Sequence, residues 1–400
     1  MSKNSNGNAQ PTLSRMSLAF LKIGFTAYGM AILQQIKELI IGQKWLTRDE
    51  VDEGLGMVQL YPGPIMFNLA TYAAYRTRGF WGAVIATLSF LLPSYLLMLI
   101  LSWAYFQYGS INWVHPLFIA LESMVVGIVA HIFLDFSARY IKDAKNAIVA
   151  GLSFLLMLFK IQAFVIVLLA IVFGIVFHRN EQNGKSNHEK KEVLIPGSLK
   201  SRIWGIILTV VILIAFLVMG FVLKKVDLTI SMFKIGAVAF GNGNTIMPLL
   251  QQEAVISHHW LTMKQFADGI GFGQITPGPF LITSTFIGYK VGGIWGSFLA
   301  TMGMFYPSFL YTLIMTEIYE KIKRRKSIRA ALVGILASFT GMLLFVLLSV
   351  GKISLTGPVT YLWAVFAFIS VRYLKINILW IFIIGILAEL LLFFAGVPIS

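Results

Sequence analysis

The chain is a succession of apolar stretches separated by short polar turns. The first stretch covers about 17–41; it is interrupted around Tyr28-Gly29-Met30 and carries Gln34, Gln35, Lys37 and Glu38. A polar turn at 43–50 precedes the apolar run 51–61, the tripeptide Pro62-Gly63-Pro64, and the run 65–75 closed by Arg76 and Arg78. Further stretches are 79–104, 116–137, 147–159 and 161–177, and a hydrophilic linker at 179–202 leads into another at 203–223. About 20 apolar residues suffice for a helix to cross the hydrocarbon of a bilayer. The pattern therefore predicts an all-α polytopic membrane protein of about 13 membrane segments, some of them re-entrant if the interrupted stretches turn back.

The order then repeats. Lys22-Ile23-Gly24 recurs as Lys234-Ile235-Gly236. Glu38, Trp45-Leu46-Thr47, Gly54, Gly56, Gln59 and Pro62-Gly63-Pro64 recur as Glu253, Trp260-Leu261-Thr262, Gly269, Gly271, Gln274 and Pro277-Gly278-Pro279. Tyr75, Gly79, Trp81-Gly82 and Pro93-Ser94 recur as Tyr289, Gly293, Trp295-Gly296 and Pro307-Ser308. The order is kept and the offset between copies hardly changes along the way. Matches this dense mean an internal duplication. The expected organisation is a tail at 1–16, a first repeat at 17–178, the linker 179–202, a connecting helix at 203–223 and a second repeat at 229–400.

Proline removes a backbone donor and forces the preceding residue out of the helical region, so each Pro-Gly-Pro must interrupt a helix. In lipid the freed backbone groups need protein, water or a ligand as partners. Interruptions at matching places in two halves of a membrane chain are the best sequence pointer to a transporter's substrate site.

Composition sharpens this picture. Apolar residues make up 58% of the chain and charged ones 12%, about half the charge of a soluble domain; mean hydropathy is +0.80. With no cysteine, disulfides and thiol chemistry are excluded. The net charge of +15 does not point to nucleic acid, because the basic residues cluster between apolar stretches, as the positive-inside rule requires. Residues 105–115 contain no Lys or Arg, whereas 321–329 carries Lys321, Lys323, Arg324, Arg325, Lys326 and Arg329. By that rule the first segment lies outside and the second inside, so the two repeats are inverted and the helix at 203–223 supplies the odd crossing. The polar N-terminus is expected to stay cytoplasmic in the cell membrane.

At Phe20-Leu21-Lys22-Ile23-Gly24, Trp45-Leu46-Thr47, Gln59-Leu60-Tyr61-Pro62-Gly63-Pro64, 72–75 and their second-half counterparts, the chain resembles the chromate ion transporter family in its long, two-halved form. The resemblance covers nearly everything from Ser17 onward. It departs from the family's Phe-Gly-Gly at Tyr28-Gly29-Met30 and Phe240-Gly241-Asn242. It implies efflux of chromate, with sulfate as the natural look-alike.

A tetrahedral dianion needs positive potential and several N–H or O–H donors. Pro64 and Pro279 suit the first helical position, so the N–H groups of Ile65, Met66, Phe280 and Leu281 would face a ligand at a helix N-terminus. Asn68 and Thr283, with Gln59, Gln274 and Thr276, would add side-chain donors. The packing alternative is that the breaks only let helices approach closely. Lys22 and Lys234 are counter-charges to the anion or snorkelling residues. Arg76, Arg78 and Lys290 read as topology anchors, and Glu38, Arg48 and Glu253 as gates or ion pairs. His131 and Asp135 share a helix face, with solvated pairing of Asp135 favoured over a proton relay.

No metalloprotease, Walker or nucleophile-elbow motif is present, and Gly241-Asn242-Gly243-Asn244 lacks the lysine of a phosphate loop. No metal site or cofactor is expected. The reading is therefore a secondary transporter, not an enzyme, exporting a small oxyanion under the membrane potential or by proton antiport; a homodimer is left open. Its rivals are sulfate or other anion uptake, an anion channel, and an integral-membrane enzyme acting on lipid-linked phosphates.

Overall fold

The computed structural model describes residues 10–29, 31–109, 111, 115–178, 199–240, 243–322 and 326–394, and among these the regular structure is helical. Most of the linker, the Gly241-Asn242 pair and Lys323 to Arg325 lie outside the described residues. Helix α1 (Leu13–Thr26) begins on Thr12, whose hydroxyl accepts from the Arg15 N–H, and ends where the backbone turns extended at Ala27. After Tyr28 and Gly29 the chain resumes as α2 (Ala31–Gly42), at the interruption expected there.

Helix α3 (Arg48–Val58) starts on a reciprocal cap, with Thr47 Oγ1 accepting from Glu50 N (3.3 Å) and Glu50 Oε2 accepting from Thr47 N (2.8 Å). Such boxes satisfy two of the donors that a helix start leaves open.

Helix α4 (Ile65–Tyr108) is nominally 44 residues long, but Arg78 and Gly79 leave the helical region, Gly79 with φ 64°. Thr71 and Thr87 hydroxyls lie 3.1 Å apart across that break. Sixteen residues of straight helix would separate them by about 24 Å, so α4 folds back as two antiparallel arms. The chain continues through α5 (His115–Tyr140), α6 (Ala144–Leu158), α7 (Ala163–His178) and α8 (Leu199–Val222).

The second half opens with α9 (Val226–Val238), whose C-cap Ala239 is again extended. A 3-10 turn at Asn244–Ile246, the short α10 (Met247–Gln251) and a π-helical turn at Gln252–Ser257 stand where the first half has α2. Helix α11 (Met263–Ile275) starts on Thr262 and Gln265 with the same reciprocal bonds, at 3.2 and 3.0 Å. A 3-10 turn at Phe280–Ile282 runs into α12 (Thr283–Ile322), which breaks at Gly292 and Gly293. There Thr285 and Thr301 hydroxyls lie 2.7 Å apart, so α12 is also a helical hairpin. Helices α13 (Lys326–Ser354), α14 (Pro358–Arg372) and α15 (Ile378–Phe394) complete the chain.

Five of the described helices are long and apolar enough to cross a membrane, and α6, α7, α14 and α15 are shorter apolar helices. Their outward faces carry large apolar side chains, such as Trp204, Phe221 and Val222 on α8, as lipid-facing helices do. The protein is a multi-pass membrane protein.

Two compact units divide the chain, and each draws on both halves. One contains residues 1–99, 184–243 and 276–325; within it α9 packs on α12, α8 on both, and α3 on α12. The other contains 100–183, 244–275 and 326–400; within it α13 packs against α5, α6 and α7, and α5 against α11, α14 and α15.

Candidate functional site

Both Pro-Gly-Pro turns fall in the first unit, apart from the residues that lead into the second of them. Gly63 and Gly278 have φ of 130° and 100°, a region that side chains rarely enter. The bonds made by the two turns match. Gly63 N–H donates to the carbonyl of Ala239, the C-cap of α9, and Gly278 N–H donates to the carbonyl of Ala27, the C-cap of α1, at 3.3 Å. Helix ends leave carbonyls without intrahelical partners. In each half a broken helix thus satisfies the break of the other.

Beyond each turn a helix begins. Asn68 N is the first to reach back, to Pro64 O at 2.9 Å, so Ile65, Met66 and Phe67 N–H precede any intrahelical acceptor. In the second half Ile282 N reaches Pro279 O at 3.0 Å, leaving Phe280 and Leu281 N–H in the same position. The partial positive charge at such a start favours an anion.

The residues expected at the site separate into three groups. Gly63, Pro64, Asn68, Thr276, Pro277, Pro279 and Thr283 are buried, Asn68 completely, while Pro62 and Gly278 are half-buried. The Asn68 amide is held only loosely, with Nδ2 3.5 Å from Pro62 O. Thr283 Oγ1 donates to Phe280 O at 2.9 Å. Gln274, in the last turn of α11, belongs to the second unit and keeps a buried amide nitrogen without a partner among the described residues. Gln59, Lys22 and Lys234 are exposed; the buried face of α1 is Met16, Phe20, Ile23 and Gly24, so Lys22 points the other way.

Two of the three gate candidates make local pairs. Glu38 accepts from Gln34 at 2.8 Å, Glu253 lies 3.5 Å from His258, and Arg48 is exposed at the start of α3. Asp135 pairs with Arg139 at 3.1 Å. Arg78 and Lys290 stay partly or fully exposed, but Arg76 is no surface anchor. It is 4% exposed, bonds Glu50 at 3.0 Å and donates to the Tyr72 hydroxyl oxygen at 2.8 Å.

Other polar groups pair inside each unit. Tyr61 OH donates to Thr312 Oγ1 at 2.9 Å, and Thr312 Oγ1 lies 3.4 Å from Asn68 Oδ1. Ser94 and Ser308, which the sequence marks only as repeat positions, are fully buried and lie against the two glycines. In the second unit Tyr105 OH donates to buried Asp268 at 2.6 Å, and Ser354 Oγ lies 3.4 Å from buried Glu122. Asp268, Glu122 and Lys264 act on one another electrostatically. The one available signal for these acids is that each stands alone inside an apolar stretch, which in a membrane is a functional hypothesis by default.

The family profile described as Chromate transporter matches residues 14–175 and again 226–390. A chromate transport protein of Cupriavidus metallidurans is 28% identical over 364 residues, covering 88% of this chain and 86% of its own. A probable chromate transport protein of Synechococcus elongatus is 28% identical, with 90% of each chain covered. An uncharacterized transporter of Methanocaldococcus jannaschii is 31% identical over 343 residues, 84% of each chain. No solved structure matches the chain. With its two matching halves spanning most of its length, the chain belongs to the chromate transporter family.

Proposed function

We propose that this protein exports chromate, or a closely similar dianion such as sulfate, from the cytoplasm along a path past the two Pro-Gly-Pro turns. The observation that carries the reading is the pair of helix starts at Ile65 and Phe280, each opened by a turn whose glycine is tied to the other half. Such starts hold an anion through N–H groups and the helix dipole without a covalent bond. The names of the relatives from Cupriavidus and Synechococcus supply the substrate. The repeats are inverted in this reading, from the charge contrast between 105–115 and 321–329, with Lys22 and Lys234 as long-range counter-charges and Glu38, Arg48 and Glu253 at the gates.

Efflux then needs no further coupling. Moving one charge across 100 mV is worth about 2.3 kcal/mol, so a dianion leaving an inside-negative cell gains roughly 4.6. At about 1.4 kcal/mol per decade this sustains some three decades of gradient. Proton antiport is the second reading, favoured by the buried Asp268–Tyr105 pair with Glu122 nearby.

The test is flux of radiolabelled chromate and sulfate in inverted vesicles at a set membrane potential and, separately, a set pH gradient. Potential-driven accumulation at equal pH is expected. Replacing either Pro-Gly-Pro by Ala-Ala-Ala is expected to abolish flux and to cost stability, because alanine does not fit the turn glycine's positive φ and the free helix start that the turn opens is lost. Normal flux in both replacements would place the substrate elsewhere.

A further inference from the structure

Ser94 and Ser308 directly follow the prolines inside the second arms of α4 and α12. Both are 0% exposed, and neither hydroxyl has a hydrogen-bond partner among the described residues. A buried hydroxyl without a partner is destabilising, and native proteins rarely keep one without a reason. Here there are two, at equivalent positions of the two repeats and in the same setting. A Cβ placed on Gly63 would lie 2.6 Å from Ser308 Oγ, and one placed on Gly278 would collide with Ser94 Oγ. Each hydroxyl therefore faces the turn of the opposite half.

The surroundings limit what these hydroxyls can hold. The N–H of each turn glycine is already engaged with the carbonyl of Ala239 or Ala27. What remains beyond the turn is a helix start with its N–H groups, which repels a cation and favours an anion. At the first turn the Asn68 amide adds another loosely held donor; a Cβ on Gly63 would lie 2.6 Å from its Nδ2. Neutral donors of this kind hold a dianion while allowing its release.

We infer that Ser94 and Ser308 are hydroxyl donors to a tetrahedral oxyanion at the Pro-Gly-Pro turns, each serine serving the turn of the opposite half. The inference rests on the proposed reading of those turns as the oxyanion site. The serines are thus specificity-determining residues, and an anion lacking four tetrahedral oxygens should lose their contribution.

The test uses the full chain purified in nanodiscs, with chromate, sulfate and nitrate as probes in thermal-shift titrations, and chromate flux in vesicles alongside. Ser94→Ala and Ser308→Ala should each weaken chromate and sulfate binding about tenfold, the usual effect of losing a hydrogen bond to a charged group. The unliganded Tm should stay the same or rise, because no partner is left unsatisfied. Ser→Cys variants, similar in size with a weaker donor, should fall between. A lowered unliganded Tm with unchanged Kd would make the serines packing residues and overturn the inference, as would an effect confined to one of them. Wild-type binding or flux unaltered in both alanine variants would remove the serine assignment and leave the proposed function standing. A wild-type protein that neither binds nor moves any of the dianions would overturn both.

Discussion

The two Pro-Gly-Pro turns share a backbone and differ in side chains. Both glycines bond the C-cap carbonyl of the other half's first helix, and both hairpins are pinned by a threonine pair, Thr71–Thr87 and Thr285–Thr301. Around the first turn a polar chain runs from Tyr61 through Thr312 toward Asn68, and a buried ion pair joins Glu50 to Arg76. At the equivalent positions around the second turn stand Thr276, Met98, Thr283, Gln265 and Lys290. Met98 has no hydroxyl to offer, Thr283 bonds its own helix, and Lys290 is exposed. The contacts that recur are those the interrupted backbone requires in lipid, whereas the side chains that decorate it have diverged. Function that depends on the shared scaffold should therefore fail symmetrically, and stability that depends on the decoration should not.

Gly63→Ala should have the largest effect. It forces a side chain into φ 130° and drives a Cβ between the Asn68 amide and Ser308. Strain and overpacking of about 1–3 kcal/mol each should unfold the region or abolish flux. Gly278→Ala meets only the Ser94 side chain and should cost less, while abolishing flux as fully. Thermal unfolding with parallel flux measurements reads both; equal stability losses would erase the difference between the turns.

Next in size is Arg76→Ala. It leaves Glu50, itself only 17% exposed, without its buried partner, and breaking such a pair costs about 3–5 kcal/mol. Lys290→Ala, at the exposed equivalent, should stay within about 0.5 kcal/mol. Denaturation of the two variants in the same detergent checks the contrast, and a loss on the Lys290 side as large as that on the Arg76 side would break it.

The smallest effect is Tyr61→Phe, which removes one hydroxyl from the chain to Thr312 and should cost about 1 kcal/mol. In a Thr312→Val background the same change should cost much less, because the bond is already gone. A double-mutant cycle that gives no coupling would show that the polar chain is incidental to the first turn.

Much of this was legible along the chain. Proline chemistry placed the breaks at 62–64 and 277–279, and the glycine between the prolines marks a backbone conformation that only glycine adopts easily. The interruption before α2, the hairpin point at Gly79 and the limits of α5 to α8 follow from apolar runs ending in polar or glycine residues. The role of Arg76 was not legible, because a basic residue closing an apolar stretch looks the same whether it anchors to a surface or pairs inside. Lys22 illustrates the converse: its place in the stretch is clear, but the face it occupies depends on which side of α1 is buried.

The sequence by itself determined a helical membrane protein, its duplicated motifs and the two interruptions, since these depend on local hydropathy and on the geometry of proline and glycine. Only the tertiary structure decided what each interruption meets. The acceptors for Gly63 and Gly278 lie in the opposite half, and so do Ser308 and Ser94. Partners so far apart along the chain leave no periodic trace in it. The same holds for Asp268, which looks like an isolated acid in sequence and meets Glu122 only when α11 packs on α5, and Tyr105 only where the end of α4 reaches it.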